Sequence, residues 1–150
     1  MGSSLREEAE ELAMALEHGF ANVDEVIDWA DANICAMDTP PFELIEVSTA
    51  GRKPSSEIAH LLRAIPGSCD IPRASRKVLR RMAAALDDSR ASPDAIAVAL
   101  YQMYLHERVP EPAAEGEMVR LDDAFALARQ GVYSRDDVVR DLRSFLSTYS

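Results

Sequence analysis

Basic residues are missing from the first third of this chain of 150 residues: no lysine or arginine lies between residues 7 and 51. Residues 1–50 hold 12 acidic residues and one arginine, so this third accounts for the whole negative excess of a chain whose net charge is −10. A strongly acidic segment repels nucleic acid and anionic membranes and attracts basic surfaces. We therefore expect neither nucleic acid nor a membrane as a partner.

Cysteine is also scarce, and long apolar runs are absent. The two cysteines, Cys35 and Cys69, form no Cys-x-x-Cys pair, which is typical of reduced thiols rather than of a disulfide framework. The longest uncharged apolar stretch, residues 95–105, is too short to span a bilayer, and the first residues lack the apolar segment of a signal peptide. These features predict a cytoplasmic protein.

Motifs for catalysis are missing as well. The six glycines form no phosphate-binding loop, and no nucleophile elbow or metal-ligand spacing occurs. The three histidines, His18, His60 and His106, lie in or at the ends of predicted helices, where capping or packing is the more common role. We expect no catalytic residue, no cofactor and no metal. An enzyme with an unfamiliar site of Asp, Glu and His is the third alternative.

Helix signals, by contrast, recur along the whole chain. Capping residues precede apolar stripes of helical period at Ser4, Asn22, Ser92 and Ser134, and no alternating strand pattern is present. A chain of this length favours one domain. We predict an all-α fold: a single compact domain over residues 1–150, with about eight short helices in antiparallel pairs. Residues 107–120, which contain two prolines and a glycine, are predicted as an irregular link, and Asp122 as the cap of the helix that follows.

One acidic stripe lies in the second predicted helix. Asp24, Asp28 and Asp31 are spaced i, i+4 and i+7, so on a helix they share one face. Trp29, the only tryptophan, lies within the same two turns. The carboxylates are either a solvated face or a docking face for a basic partner. Trp29 either covers a neighbouring helix or is a binding hot spot.

Two further patterns leave alternatives open. In the third predicted helix, Leu44 and Val47 lie off the face of Phe42 and Ile45, so this helix is either buried on two sides or offers an apolar contact.

A basic cluster lies between residues 73 and 81. It is either a nucleic-acid contact or a solvated face that also pairs with the acidic third. It lacks the interleaved aromatics of base stacking, which favours the second interpretation. Its members are Arg73, Arg76, Lys77, Arg80 and Arg81.

In size, acidity and lack of catalytic motifs the chain resembles bacterial immunity proteins, which neutralise a toxin domain made by the same cell. The resemblance implies a non-catalytic protein that binds a basic, toxin-like protein. The residues we predict to contact the partner are Asp24, Glu25, Asp28, Trp29 and Asp31. The alternative is an intracellular helical scaffold or regulatory subunit that acts by self-association or adaptor contacts, with a homodimer left open.

Overall fold

The computed structural model describes residues 4–150, and this part of the chain forms eight α-helices and no β-strand. The all-α prediction is therefore confirmed. Contacts between helices divide the chain into a first unit that ends at Asp70 and a second unit from Ile71 to Ser150. The prediction of one domain over residues 1–150 stays a prediction.

The first unit contains α1 (Leu5–His18), α2 (Val23–Ala36), α3 (Phe42–Ser48) and α4 (Ser55–Arg63). Helix α1 packs against α4, α2 against α3, and α3 against α4. Apolar side chains at helical spacing on all four helices form one core. Its largest members are Leu12, Leu16, Val26, Leu44, Val47, Ile58, Leu62 and Ile65.

Two predicted caps hold the helices that matter for the acidic stripe. The Ser4 hydroxyl accepts a hydrogen bond from the Glu7 amide at 3.1 Å, and the Asn22 side chain accepts one from the Glu25 amide at 2.8 Å. Gly19 ends α1 with φ at +83°, a left-handed conformation that favours glycine. These capping predictions are confirmed, and they fix where α1 ends and α2 begins.

The second unit contains α5 (Ile71–Asp87), α6 (Pro93–Leu105), a short 3-10 helix (Pro112–Ala114), α7 (Glu115–Arg129) and α8 (Arg135–Ser147). Helix α7 packs against α6 and α8, and α8 also packs against α5. Buried apolar residues on facing helices form its interior. The largest that are fully buried include Phe125, Leu79, Met82, Ile96, Leu100, Met103 and Met118.

The predicted link over residues 107–120 is wrong in its second half. Helix α7 begins at Glu115, seven residues before the predicted cap at Asp122, and a 3-10 helix precedes it. Gly116 lies in the first turn of α7 and does not break the helix. The Glu115 and Glu117 carboxylates stabilise this turn because they lie at the positive end of the helix dipole. Met118 is buried and extends the apolar stripe of α7 toward its start.

One carboxylate connects three helices of the second unit. Asp94, near the start of α6, accepts hydrogen bonds from Arg129 at 2.9 Å and from Arg135 at 2.5 Å. Replacing Asp94 by Ala should lower the free energy of unfolding by about 1 kcal/mol, because two half-exposed ion pairs are lost together. Chemical denaturation measures this change. Asp88→Ala is the control: within residues 4–150 Asp88 pairs with Arg90 alone, two residues away and equally exposed, and its loss should cost less than about 0.5 kcal/mol.

The same contribution depends on pH. Burial alone would raise the pKa of Asp94, but the hydrogen bonds from Arg135 and Arg129 together lower it below the ordinary value of 3.8. A carboxyl whose pKa is lower in the folded state stabilises the fold above its unfolded pKa. The stability difference between the native protein and Asp94→Ala should therefore be present at neutral pH and shrink as the pH falls below about 4.

Candidate binding surface on helix α2

Helix α2 exposes the acidic stripe and buries the opposite side. Val26 and Ala30 are fully buried in the core of the first unit. Asp24, Asp28 and Asp31 are all exposed, and because they span about two helical turns at i, i+4 and i+7 they share one face. Asn22 starts this helix, so its cap sets the direction in which all three carboxylates point.

The aspartates of the stripe differ in their partners. Within residues 4–150, Asp24 and Asp28 have no ion pair and no side-chain hydrogen bond. Asp31 accepts a short hydrogen bond from the Ser48 hydroxyl, which ties α2 to the end of α3. Glu25 is exposed beside them. Asp24 and Asp28 therefore present carboxylates that no arginine or lysine of residues 4–150 neutralises.

Several carboxylates elsewhere in the described chain are paired within the fold. Glu10 is almost fully buried and bonded to Arg6 and Arg63, and Glu117 and Asp141 share Arg120 at 2.5 and 3.2 Å. Pairing within the fold is thus common in this protein. Its absence at Asp24 and Asp28 distinguishes α2 from these other acidic sites.

Trp29 is half-buried and serves the packing of the first unit. Its ring packs against the core, and its indole Nε1 donates to the Glu8 carboxylate on α1 at 3.0 Å. Asn33 donates to the Trp29 carbonyl at 2.8 Å, one turn further along α2. These contacts favour the interpretation in which Trp29 covers a neighbouring helix. Its predicted role in partner binding stays a prediction.

Helix α3 adds an apolar contact that the predicted set of contact residues does not include. Leu44 and Val47 are fully buried, whereas Phe42 is 69% exposed and Ile45 is 39% exposed. The helix is therefore not buried on two sides and offers an apolar surface. The four apolar residues on two faces of one short helix were the signal in the sequence, but the pattern could not indicate which pair faces solvent.

The basic cluster of the second unit is engaged in interactions. The Arg76 guanidinium lies 5.8 Å from the centre of the Tyr149 ring, and Arg80 Nε donates to the Tyr149 carbonyl at 3.1 Å. Arg73, Lys77 and Arg81 also have polar, ring or electrostatic interactions. These contacts favour the interpretation that the cluster belongs to the structure rather than to a nucleic-acid site.

Comparison with known proteins yields no relative: no protein-family model, curated protein or solved structure matches the chain. Function must therefore be inferred from the molecule itself.

Metal-binding groups, membrane-spanning helices and grooves are the other features that could indicate a function. Across residues 4–150, no group of three or more His, Cys, Asp and Glu side chains is placed to hold a metal ion, and no helix has the length and apolarity needed to cross a bilayer. A groove of about 280 Å³ in the second unit is lined by α5 and α8. Asp87 and Arg143 line it and pair with each other at 2.9 Å, and no histidine or cysteine is among its lining residues.

Proposed function

We propose that this protein is a non-catalytic binding protein that docks the acidic face of α2 on a basic protein. The observation that carries the proposal is the pair Asp24 and Asp28, exposed and without an internal cationic partner in residues 4–150. Carboxylates spaced i, i+4 on a helix repel each other by a few tenths of a kcal/mol. A partner that supplies lysine or arginine relieves this repulsion, whereas solubility alone does not require such a stripe.

The physical consequence is fast, salt-sensitive association. The charge of the first third, concentrated where no base occurs between residues 7 and 51, attracts a basic protein before contact is made. If the partner is a nuclease toxin, the stripe occupies the surface that would otherwise bind phosphates. The protein then acts as an immunity protein that neutralises a toxin domain made by the same cell, in the cytoplasm.

The test begins with the product of the neighbouring reading frame, because toxin and immunity protein are made together. We expect the two purified proteins to form a tight complex whose association rate, measured by stopped-flow fluorescence, falls steeply as salt increases. The dissociation rate should depend much less on salt. A complex whose association rate is the same at low and high salt, or no complex at all, would contradict the proposal.

A second candidate function is a helical scaffold that acts by self-association, and one observation favours it. Helix α6 is apolar on nearly all sides, which predicts a central, fully covered helix, yet Val98 is 48% exposed and Leu105 is 51% exposed. If α6 pairs with a second copy, light scattering at high concentration should give a dimer mass that Leu105→Glu converts to a monomer mass. A monomer mass for the native protein at high concentration would count against this function.

A further inference from the structure

Helix α3, which carries the exposed apolar residues, contacts the last aspartate of the acidic stripe at its end. The hydrogen bond from Ser48 to Asp31 places the end of α3 against the middle of α2. Ile45 and Phe42 are three and six residues before Ser48, so they continue along α3 from that contact. Buried Leu44 and Val47 hold the helix in place from its other side. The Phe42 ring is thus presented to solvent on a fixed support.

Acidic side chains share helix α3 with this ring. Glu46 follows Phe42 by four residues, so the two side chains are neighbours on the same helix surface. Asp31 lies at the Ser48 end of α3. Glu43 and Glu46 form no ion pair within residues 4–150. The face of an aromatic ring attracts a cation. A carboxylate beside the ring attracts the same cation, so the two effects act together.

We propose, on the basis of the function proposed above, that this surface selects an arginine-rich protein segment and that one arginine stacks on Phe42 while it pairs with Glu46. A guanidinium is planar, so it can lie on an aromatic face and still donate two parallel hydrogen bonds to a carboxylate. A lysine ammonium is a compact, strongly hydrated charge that satisfies the carboxylate but gains less from the ring. Charge attracts any basic surface; Phe42 adds a preference for arginine.

The test compares two probes of equal charge, octa-arginine and octa-lysine, in NMR titrations of the ¹⁵N-labelled full chain at low salt. We expect octa-arginine to bind about two- to fivefold more tightly, the range of an exposed cation–π contact, with the largest shifts at α2 and α3. In Phe42→Leu the preference for octa-arginine should shrink to the part that paired hydrogen bonds to carboxylates supply, because leucine keeps an apolar side chain but has no ring face. Phe42 is largely exposed, so the melting temperature should not change.

Matched variants separate this inference from the function on which it rests. Leu105→Ala, which alters an exposed apolar residue of the second unit, should leave the preference for arginine intact, and Glu46→Gln should reduce it. Equal binding of both peptides by the native chain would overturn the selectivity for arginine while leaving docking by charge in place. A preference of the same size in Phe42→Leu as in the native chain would overturn the role of Phe42. Binding of neither peptide would contradict both proposals.

Discussion

Replacing Glu10 by Gln should lower the free energy of unfolding by about 2–3 kcal/mol, the largest effect on stability that we expect from one change of a charged residue. The Glu10 side chain is only 2% exposed, and its two carboxylate oxygens accept from Arg6 at 3.0 Å and from Arg63 at 2.9 Å. Glutamine has nearly the same shape but no charge. It would remove the carboxylate that lies between the largely buried guanidinium groups of Arg6 and Arg63, and Arg63 would be left with the more exposed Glu17.

Glu17→Gln is the matched control because Glu17, like Glu10, is a carboxylate that pairs with Arg63, and the substitution removes the same negative charge. Glu17 pairs with Arg63 at 2.5 Å but is 37% exposed, so its loss should cost less than about 1 kcal/mol. Urea denaturation followed by circular dichroism measures both variants. Equal losses of stability in Glu10→Gln and Glu17→Gln would contradict the claim that burial makes the Glu10 ion pairs the more costly ones to lose.

The pKa of Arg63 is consistent with this arrangement. Burial alone would lower it, but the hydrogen bond to Glu17 and the charge of Glu10 raise it above the ordinary value. The guanidinium therefore stays charged in the folded state. This is why the carboxylate of Glu10, and not merely a side chain of its size, is needed between the two arginines.

Much of the fold could be predicted from local signals. The caps at Ser4, Asn22 and Ser92 accept hydrogen bonds from backbone amides three residues on, as the sequence indicates. Helix α5 begins at Ile71, directly after Asp70, a residue type that commonly precedes the first turn of a helix. Such signals act within one helical turn, so a single sequence contains them in full.

The start of α7 could not be predicted because the local signals conflict. Gly116 and the prolines before it indicate a loop, whereas the burial of Met118 depends on helices that are distant in the sequence. The pairing of Glu10 with Arg63 was beyond reach for the same reason, since the two residues are 53 positions apart. Tertiary contacts determine both the start of α7 and the Glu10–Arg63 pair, and the periodicity of the sequence does not show which distant residues come into contact.

The candidate site was predicted in part. Spacing alone places Asp24 and Asp28 on one face, but it could not show that both lack an internal partner while Asp31 bonds Ser48. The exposure of Phe42 could not be predicted either, because α3 is a short helix with apolar residues on two faces and either face could be the buried one. These are properties of packing between α2 and α3.

The variant Asp24→Lys/Asp28→Lys should slow association with a basic partner by about tenfold or more at low salt, because it replaces attraction by repulsion at the docking face. Asp31 is kept because its bond to Ser48 supports α3. The melting temperature should fall only slightly: neither aspartate has an internal partner in residues 4–150, and the main cost is a lysine in the first turn of α2 at position 24, where it opposes the helix dipole.

Asp123→Lys/Asp136→Lys is the control. It makes the same change of net charge at one exposed position within a helix and one in a first turn, both in the second unit. The deciding measurement is the association rate of the three proteins with the product of the neighbouring reading frame, taken over a series of salt concentrations. We predict that only the α2 variant loses most of its rate at low salt and that the difference from the native protein disappears at high salt. Equal rates for the α2 variant and the native protein at low salt would show that the partner docks elsewhere.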